Sequence, residues 1–258
     1  MTQNVKIPIS RWDGNKTVIS SDKLARESLI VMYYNDVILS RLLGTPSDVR
    51  ELFIGHLLSE GYLKKSQILE LANFESTLES GIHKLFLDGP KIDFKNFNQE
   101  RIISSSCGAC DTDGLEELIH DLPILEPDNS VVDLDKIVDS LNAMKLEQKG
   151  FNSTGGMHAA GLTNYEYNLL LVKEDIGRHN ALDKLIGAAV SENLEISESI
   201  LLLSGRCGWD IVAKACRSGI RTIVSIGACS SLAAKTARSS GMRIYSFVKS
   251  NNAVIIGN

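Results

Sequence analysis

The 258-residue sequence has no apolar run of the roughly 18–20 residues that a transmembrane helix requires. Its N-terminal segment also lacks the continuous apolar core of a secretory signal peptide. Positive charge is not in excess, since 27 basic side chains and 32 acidic ones give a net charge of -5. This balance disfavours an extended basic surface for nucleic acid, but it is compatible with a local anion pocket. We therefore expect a cytoplasmic protein without a cleaved leader, with no nucleic acid and no membrane among its partners.

Cysteines are few, and their odd number, five, argues against a disulfide scaffold in such a chain. Only Cys107 and Cys110 are near each other, as Cys-x-x-Cys within a run of small and polar residues. A segment of that composition cannot pack a core, so we expect an accessible loop. Cys207, Cys216 and Cys229 have apolar or small neighbours, and we expect them to be inert thiols in the core.

Proline, aspartate and asparagine concentrate at residues 121–129, which marks a plausible domain boundary. The predicted domains are a smaller α+β domain over residues 1–128, ending in the Cys-x-x-Cys loop, and an α/β domain over residues 129–258. In the first domain, residues 28–34 read as a strand. A helix is expected after Thr45-Pro46-Ser47-Asp48, because proline and acidic residues suit a first helical turn.

Beyond the boundary, short apolar strands alternate with helices. The predicted strands cover residues 168–172, 200–204, 222–226 and 242–247, with helices near 181–187, 209–218 and 230–240. Such alternation indicates a largely parallel sheet covered by helices. Ligands bind such sheets at the carboxyl ends of strands. Polar clusters follow those ends at residues 173–180, 204–210 and 227–231, and we expect the functional site there.

The cysteine loop allows several chemical interpretations. A zinc site would need two more ligands, which His158 together with Cys207 or Cys229 would supply. The zinc deaminases, however, place a His-x-Glu motif before their cysteine pair, whereas His158 follows the pair here and has no such glutamate.

A thioredoxin-like dithiol should follow a strand and open a helix, and Ile102-Ile103 makes a poor central strand. A third interpretation is a nucleophilic thiol that carries sulfur or an acyl group on a mobile loop. The remaining alternative is a surface loop in which the cysteines have no chemical role.

Residues 174–184 carry more charge and polarity than packing requires. Backbone N–H groups at the start of a helix, with Arg178, His179 and Lys184, would suit an anion such as a phosphate. An internal ion-pair network that joins helix to sheet, with Asp183 and Lys184 solvated, explains the pattern equally well, and spacing alone leaves both open. The turn at residues 152–158 lacks the phosphate-loop pattern, so nucleotide hydrolysis is not supported.

Taken together, these segments resemble the formate dehydrogenase accessory protein family (FdhD). The matching pieces are Leu43-Gly44-Thr45-Pro46-Ser47-Asp48, the Ser-Cys-Gly-Ala-Cys loop, Thr154-Gly155-Gly156-Met157-His158-Ala159-Ala160, residues 174–184 and Ser204-Gly205-Arg206. They occur in the family's order from about residue 28 to residue 250, and residues 174–184 are the most specific piece.

The resemblance implies a sulfurtransferase that acts as a sulfur carrier. Such a protein takes sulfur from a cysteine desulfurase as a persulfide on Cys107, with Cys110 assisting or resolving it. It delivers the sulfur to the molybdenum cofactor in its bis(molybdopterin guanine dinucleotide) form, which then enters formate dehydrogenase. The resemblance also implies a cytidine-deaminase-like, three-layer C-terminal domain, a scaffold that fits the missing glutamate beside His158.

The same resemblance places cofactor binding near the C-terminus, on Phe247, Val248, Lys249, Ser250, Asn251 and Asn252. The phosphates of the cofactor are expected to contact Arg178, His179, Lys184 and Arg206. No resident metal is expected, and a homodimer is the expected assembly. Two other functions stay open: a non-catalytic chaperone that only binds the molybdenum cofactor, and a zinc-dependent hydrolase.

Overall fold

The structure is a computed structural model that describes residues 3–92, 119–126, 131–250 and 252–257. The strands in these ranges are β1 (Asn4–Trp12), β2 (Thr17–Ala25), β3 (Ser28–Tyr34), β4 (Val37–Gly44), β5 (Ala72–Glu79), β6 (Ile82–Asp88), β7 (His158–Asn164), β8 (Leu169–Asp175), β9 (Ser199–Leu203), β10 (Thr222–Ser225), β11 (Arg243–Lys249) and β12 (Asn252–Ile256). The helices are α1 (Val49–Ser59), α2 (Lys65–Ile68), α3 (Leu134–Glu147), α4 (Lys149–Thr154), α5 (Arg178–Ser191), α6 (Trp209–Arg217) and α7 (Ser231–Ser239). None of these described helices is long and apolar enough to cross a membrane.

The N-terminal part contains two small sheets. Strands β1 and β2 form an antiparallel hairpin, and a four-stranded sheet has the order β4-β3-β6-β5. Asn35 and Asp36 join β3 to β4 with φ angles of 46° and 64°, the left-handed conformation that suits a two-residue hairpin turn. The strand predicted at residues 28–34 is therefore confirmed as β3, and the helix predicted after Asp48 is confirmed as α1.

The C-terminal part is built on a six-stranded sheet of order β12-β11-β10-β9-β7-β8. Only β9, β10 and β11 run parallel to one another. Strand β7 is antiparallel to both of its neighbours, and β12 is antiparallel to β11. The expectation of a largely parallel sheet is therefore right for the centre of the sheet and wrong for its flanks. The physical reason is that β7 and β8, and likewise β11 and β12, are joined by short turns, which connect antiparallel strands without a crossover helix.

Both faces of this sheet are covered, as the alternation of side chains along β9 shows. Ile200 and Leu202 pack with the residues of α3 on one face, whereas Leu201 and Leu203 join the core formed with α5, α6 and α7 on the other. All five residues of β9 are buried, which explains why four of them, Ile200–Leu203, form a continuous apolar run. The mixed α/β class is thus confirmed, while the cytidine-deaminase-like description stays a prediction.

The two parts of the chain share one core, because helix α1 crosses closely over α5. A Cβ atom built on Gly55 would lie 1.7 Å from the backbone oxygen of Asp183, and one on Gly187 would lie 1.9 Å from that of Glu51. Only glycine permits this reciprocal backbone approach. The predicted boundary at 128/129 falls in residues 127–130, outside the described residues, and it stays a prediction.

A buried charged network also joins these helices. The Asp183 carboxylate on α5 accepts hydrogen bonds from Ser59 Oγ on α1 at 2.6 Å and from Lys214 Nζ on α6 at 2.9 Å, and it lies 3.2 Å from His56 Nδ1. Lys214 also pairs with Glu60 at 2.5 Å. Asp183 is 1% exposed, so the expectation that it is solvated was wrong. Its charge is compensated within the core by the three partners.

Candidate functional site

The loops that follow β9, β10 and β11 converge at one edge of the six-stranded sheet. Ser225 Oγ donates to the Gly205 oxygen at 2.6 Å, and the Phe247 N–H donates to the Gly227 oxygen at 3.1 Å. A Cβ atom on Gly227 would lie 2.8 Å from the carbonyl of Gly205, so the β9 and β10 loops touch backbone to backbone. This close packing gives the edge a fixed shape at the strand ends, where α/β sheets bind ligands.

Five polar side chains gather at this edge, and we call them the strand-end cluster: His158, Arg178, His179, Arg206 and Asp210. His158 begins β7, which is antiparallel to β9 and therefore starts where β9 ends. The pairing is closed by the Ala159 N–H, which donates to Ser204 Oγ at 2.7 Å. The His158 ring rests against Gly205, since its Nδ1 would lie 3.1 Å from a Cβ atom built on that glycine.

Helices α5 and α6 supply three further members of the strand-end cluster, and Arg206 lies in the loop between β9 and α6. Arg178 and His179 are the first two residues of α5, and Asp210 lies in the first turn of α6. The Asp210 carboxylate contacts the His179 ring and lies 3.6 Å from Arg178 Nη2. Burial alone would raise the pKa of Asp210, but His179 and Arg178 lower it overall, so this side chain is ionised at neutral pH.

The strand-end cluster is electropositive around His158. Burial lowers the pKa of His158, and the charges of Arg178, His179 and Arg206 lower it further, so the ring is neutral at pH 7. Arg206 is exposed and makes no ion pair among the described residues. The buried Nε of Arg178 likewise has no hydrogen-bond partner in that part of the chain. The exposed Arg206 guanidinium thus keeps donors available for an anion, and Arg178 adds positive charge and an unpaired Nε buried beside it.

Lys184 does not belong to this cluster, and its prediction as a phosphate contact was wrong. Its side chain is fully buried, and its Nζ lies 2.7 Å from Asp175 Oδ2 and donates to the Thr45 oxygen at 2.9 Å. Asp175 in turn accepts from the Thr45 N–H at 2.9 Å, and Asn180 Nδ2 donates to the Leu43 oxygen at 2.8 Å. The alternative of an internal ion-pair network is right about the network and wrong about Lys184, which was expected to be solvated but lies buried within it and anchors residues 43–48 to α5.

The predicted C-terminal stretch divides between core and surface. Val248 is 3% exposed and packs with the α3 side of the sheet, so its prediction as a cofactor contact was wrong. The exposed members are Phe247, Lys249, Ser250 and Asn252, and Asn251 lies outside the described residues. Phe247 adjoins the strand-end cluster through its hydrogen bond to Gly227. It has a φ of 54°, which is unusual for a bulky residue and is typical of functional positions.

The predicted catalytic pair, Cys107 and Cys110, lies outside the described residues. Cys207 and Cys216 are buried, as expected of core thiols, but Cys229 is only half-buried. Within the described residues, no three His, Cys, Asp or Glu side chains are placed to hold a metal.

Sequence reasoning missed two members of the strand-end cluster. It presents His158 only as a candidate zinc ligand, and Asp210 only as the end of the polar run 204–210. Both could have been found from their position next to the carboxyl end of β9. His158 lies there because β7 pairs antiparallel with β9, and Asp210 lies there because it is at the start of the helix that follows β9.

The architecture and this site define a mixed α/β protein with an electropositive cluster at the ends of parallel strands. A model of the FdhD/NarQ family matches residues 25–257. The chain therefore belongs to the FdhD/NarQ family.

Known proteins similar to the chain agree with this membership. It is 30% identical over 250 residues to a protein of Xanthomonas oryzae pv. oryzae strain MAFF 311018 named sulfur carrier protein FdhD, covering 96% of this chain and 88% of that one. A protein of the same name from Sulfolobus acidocaldarius is 32% identical over 248 residues, with coverage of 96% and 94%. The crystal structure of a putative formate dehydrogenase accessory protein from Desulfotalea psychrophila has the same fold, with a TM-score of 0.78, 21% identity and coverage of 100% and 98%.

Proposed function

We propose that this protein is a sulfur carrier for formate dehydrogenase. It receives sulfur from a cysteine desulfurase as a persulfide on Cys107 and transfers it to the bis(molybdopterin guanine dinucleotide) molybdenum cofactor, which is its substrate. The observation that carries the proposal is family membership over residues 25–257, together with relatives that are named sulfur carriers. The homodimer and the cytoplasmic location stay predictions beside it.

The proposed chemistry is nucleophilic exchange at sulfur. The Cys107 thiolate attacks the terminal sulfur of the donor persulfide, the donor's S–S bond breaks, and the donor cysteine leaves as a thiolate. In the transfer step the Cys110 thiolate attacks the inner sulfur of the Cys107 persulfide, that S–S bond breaks, and the outer sulfur leaves as sulfide to the molybdenum cofactor. The Cys107–Cys110 disulfide that remains is reduced by a dithiol reductant. The sequence neighbours of Cys107 are small, Ser104-Ser105-Ser106 before it and Gly108-Ala109 after it, and a composition of this kind favours a thiol that two large partners can reach in turn.

The proposed role of the strand-end cluster is to hold the phosphates of the guanine dinucleotide. Arg178 and Arg206 present donors with no partner among the described residues, and α5 begins at this edge with its N–H groups. The nearby Phe247 ring is 49% exposed and offers a surface on which a guanine base would stack. His179 is held by Asp210, so its role is to orient Asp210 and Arg178 rather than to bind the nucleotide freely.

The first test is mass spectrometry of the protein after incubation with a cysteine desulfurase and cysteine. We expect an adduct of about 32 Da, corresponding to one added sulfur atom, and its removal by a reducing thiol. Cys107→Ala should abolish the adduct because it removes the attacking thiolate. Cys216→Ala is the matched control, because the Cys216 thiol is buried, and it should keep the adduct. An unchanged adduct in Cys107→Ala would refute the assignment.

The second test concerns the strand-end cluster and uses guanosine diphosphate as the probe. Arg206→Ala should weaken binding by about 10- to 100-fold, since a charge-assisted hydrogen bond contributes about 1.5–3 kcal/mol. The control is Arg221→Ala, because Arg221 precedes β10 at the opposite edge of the sheet and its guanidinium donates to the Ser197 oxygen. Equal affinities of the two variants in isothermal titration calorimetry would remove Arg206 from the proposed site.

A further inference from the structure

A second pair of cysteines lies directly opposite each other in the loops that follow β9 and β10. Cys207 and Cys229 form an isolated parallel β-bridge, closed by the Cys207 N–H donating to the Ala228 oxygen at 2.9 Å and the Ser230 N–H donating to the Cys207 oxygen at 3.1 Å. Paired backbones lie about 4.8 Å apart, which is inside the Cα separation of about 4.4–6.8 Å that disulfides span. The two thiols are close enough for each to shift the pKa of the other.

The two thiols differ in the way that an attacking and a resolving cysteine differ. Cys229 is half-buried, and the hydrogen bond from Cys207 lowers the pKa of its thiol. Cys207 is fully buried, and the pKa of its thiol is raised by its hydrogen bond to Cys229 and by burial. A reagent from solvent therefore meets Cys229 first, and Cys229 is the better nucleophile of the two.

We propose that Cys207 and Cys229 are a redox-active dithiol that a hydroperoxide converts into a reversible disulfide. The Cys229 thiolate attacks the peroxide oxygen, the O–O bond breaks, and hydroxide or alkoxide leaves as Cys229 becomes a sulfenic acid. The Cys207 sulfur then attacks the Cys229 sulfur, the S–O bond breaks, and water leaves with the thiol proton. Two thiols are oxidised and one peroxide is reduced. A dithiol reductant restores the pair by exchange.

This pair consists of different cysteines from the proposed sulfur-carrying pair, Cys107 and Cys110. The proposal concerns Cys207 and Cys229 alone, so it stands or falls independently of a persulfide on Cys107. The disulfide would join the β9 and β10 loops covalently, next to Arg206 and two residues beyond Gly227. It requires little movement, since these loops already touch at Gly205 and Gly227.

Peptide mapping tests the proposal on the full-length protein. After treatment with a few equivalents of hydrogen peroxide, free thiols are alkylated and the protein is digested with trypsin without reduction. Trypsin releases Cys207 in peptide 207–214, Cys229 in peptide 222–235, and Cys107 with Cys110 in peptide 102–136. We expect peptides 207–214 and 222–235 to appear as one linked species about 2 Da lighter than their sum, and to separate after reduction.

Three variants separate this pair from adventitious oxidation. Cys229→Ser should leave Cys207 as a free thiol, and Cys207→Ser should stop the reaction at a sulfenic acid on Cys229, which a cyclic diketone traps. Cys216→Ser should keep the linked species, because Cys216 is buried elsewhere and donates to the Pro123 oxygen. The proposal is overturned if the oxidised wild-type protein, still folded by circular dichroism, yields both peptides unlinked. Linkage of Cys216 to either partner would overturn it equally.

Discussion

Lys214→Met should lower the free energy of unfolding by about 3–5 kcal/mol, because it removes one partner of a buried ion pair. Asp183 is 1% exposed, and after the substitution only Ser59 and His56 are left to compensate the charge of its carboxylate. Urea unfolding at neutral pH measures the loss. The matched control is Lys136→Met, which breaks an exposed helix ion pair with Asp133 and should cost under about 1 kcal/mol.

A double variant separates the effect of charge compensation from the effect of packing in this network. Removing both charges, with Asp183→Asn added to Lys214→Met, should cost less than Lys214→Met alone, because the Asp183 carboxylate is then no longer buried without its cation. Glu60 loses the same partner in both variants, and its side chain is 24% exposed. A double variant less stable than that single one would contradict the account.

The buried network should also make the free energy of unfolding depend on pH in the acidic range. Burial alone would raise the pKa of Asp183, but Lys214, His56 and Ser59 lower it from 3.8 to about 2. Because the pKa of Asp183 is lower in the folded protein than in the unfolded chain, its ionised carboxylate stabilises the fold above about pH 4. About 2 kcal/mol of this stability is lost as the pH falls from about 4 to about 2. The Asp183→Asn variant should lack that part of the pH dependence.

Gly187→Val should be the most damaging single change at the junction of the two parts of the chain. A Cβ atom at Gly187 would lie 1.9 Å from the Glu51 backbone oxygen, so α1 and α5 would have to separate. We expect the free energy of unfolding to fall by about 3 kcal/mol or more, with a clearly lower melting temperature in circular dichroism.

Gly156→Ala is the control for this prediction. A Cβ atom at Gly156 would have no neighbour closer than 3.5 Å, and the φ of this glycine is not positive. The change should therefore stay within about 0.5 kcal/mol of wild type. If the Gly187→Val and Gly156→Ala proteins had the same melting temperature, α1 and α5 would not pack as described.

Hydrophobic runs made the centre of the fold predictable from sequence. Ile200–Leu203 is buried on both faces, and a strand of that kind must be apolar throughout. The β1–β2 hairpin gave no such signal because most of its side chains are exposed, including Ile19 at 84%. Strand β7 escaped prediction because its Ala-Ala-Gly core consists of small residues, which fit beneath Met144 of α3 but carry little strand propensity.

The site was predictable as a region, and less so residue by residue. The rule that ligands bind at strand ends located Arg178, His179 and Arg206 correctly at one edge of the sheet. The same rule could not separate Arg178 from Lys184, because both lie on α5 and only its docking against α1 and residues 43–48 decides which side chain faces solvent. Val248 and Phe247 divide for a similar reason: neighbouring residues of a strand face opposite sides.

Restoration of formate dehydrogenase activity is the measurement that tests the central claim most directly. The protein is produced in a bacterial host that has a formate dehydrogenase and lacks its own accessory protein, and activity is compared at matched protein levels. We predict that the wild-type protein restores activity and that the Cys107→Ala, Cys110→Ala double variant does not, because both proposed sulfur-carrying thiols have been removed. Full activity with the double variant would contradict a sulfur carrier and would identify a chaperone that only binds the cofactor.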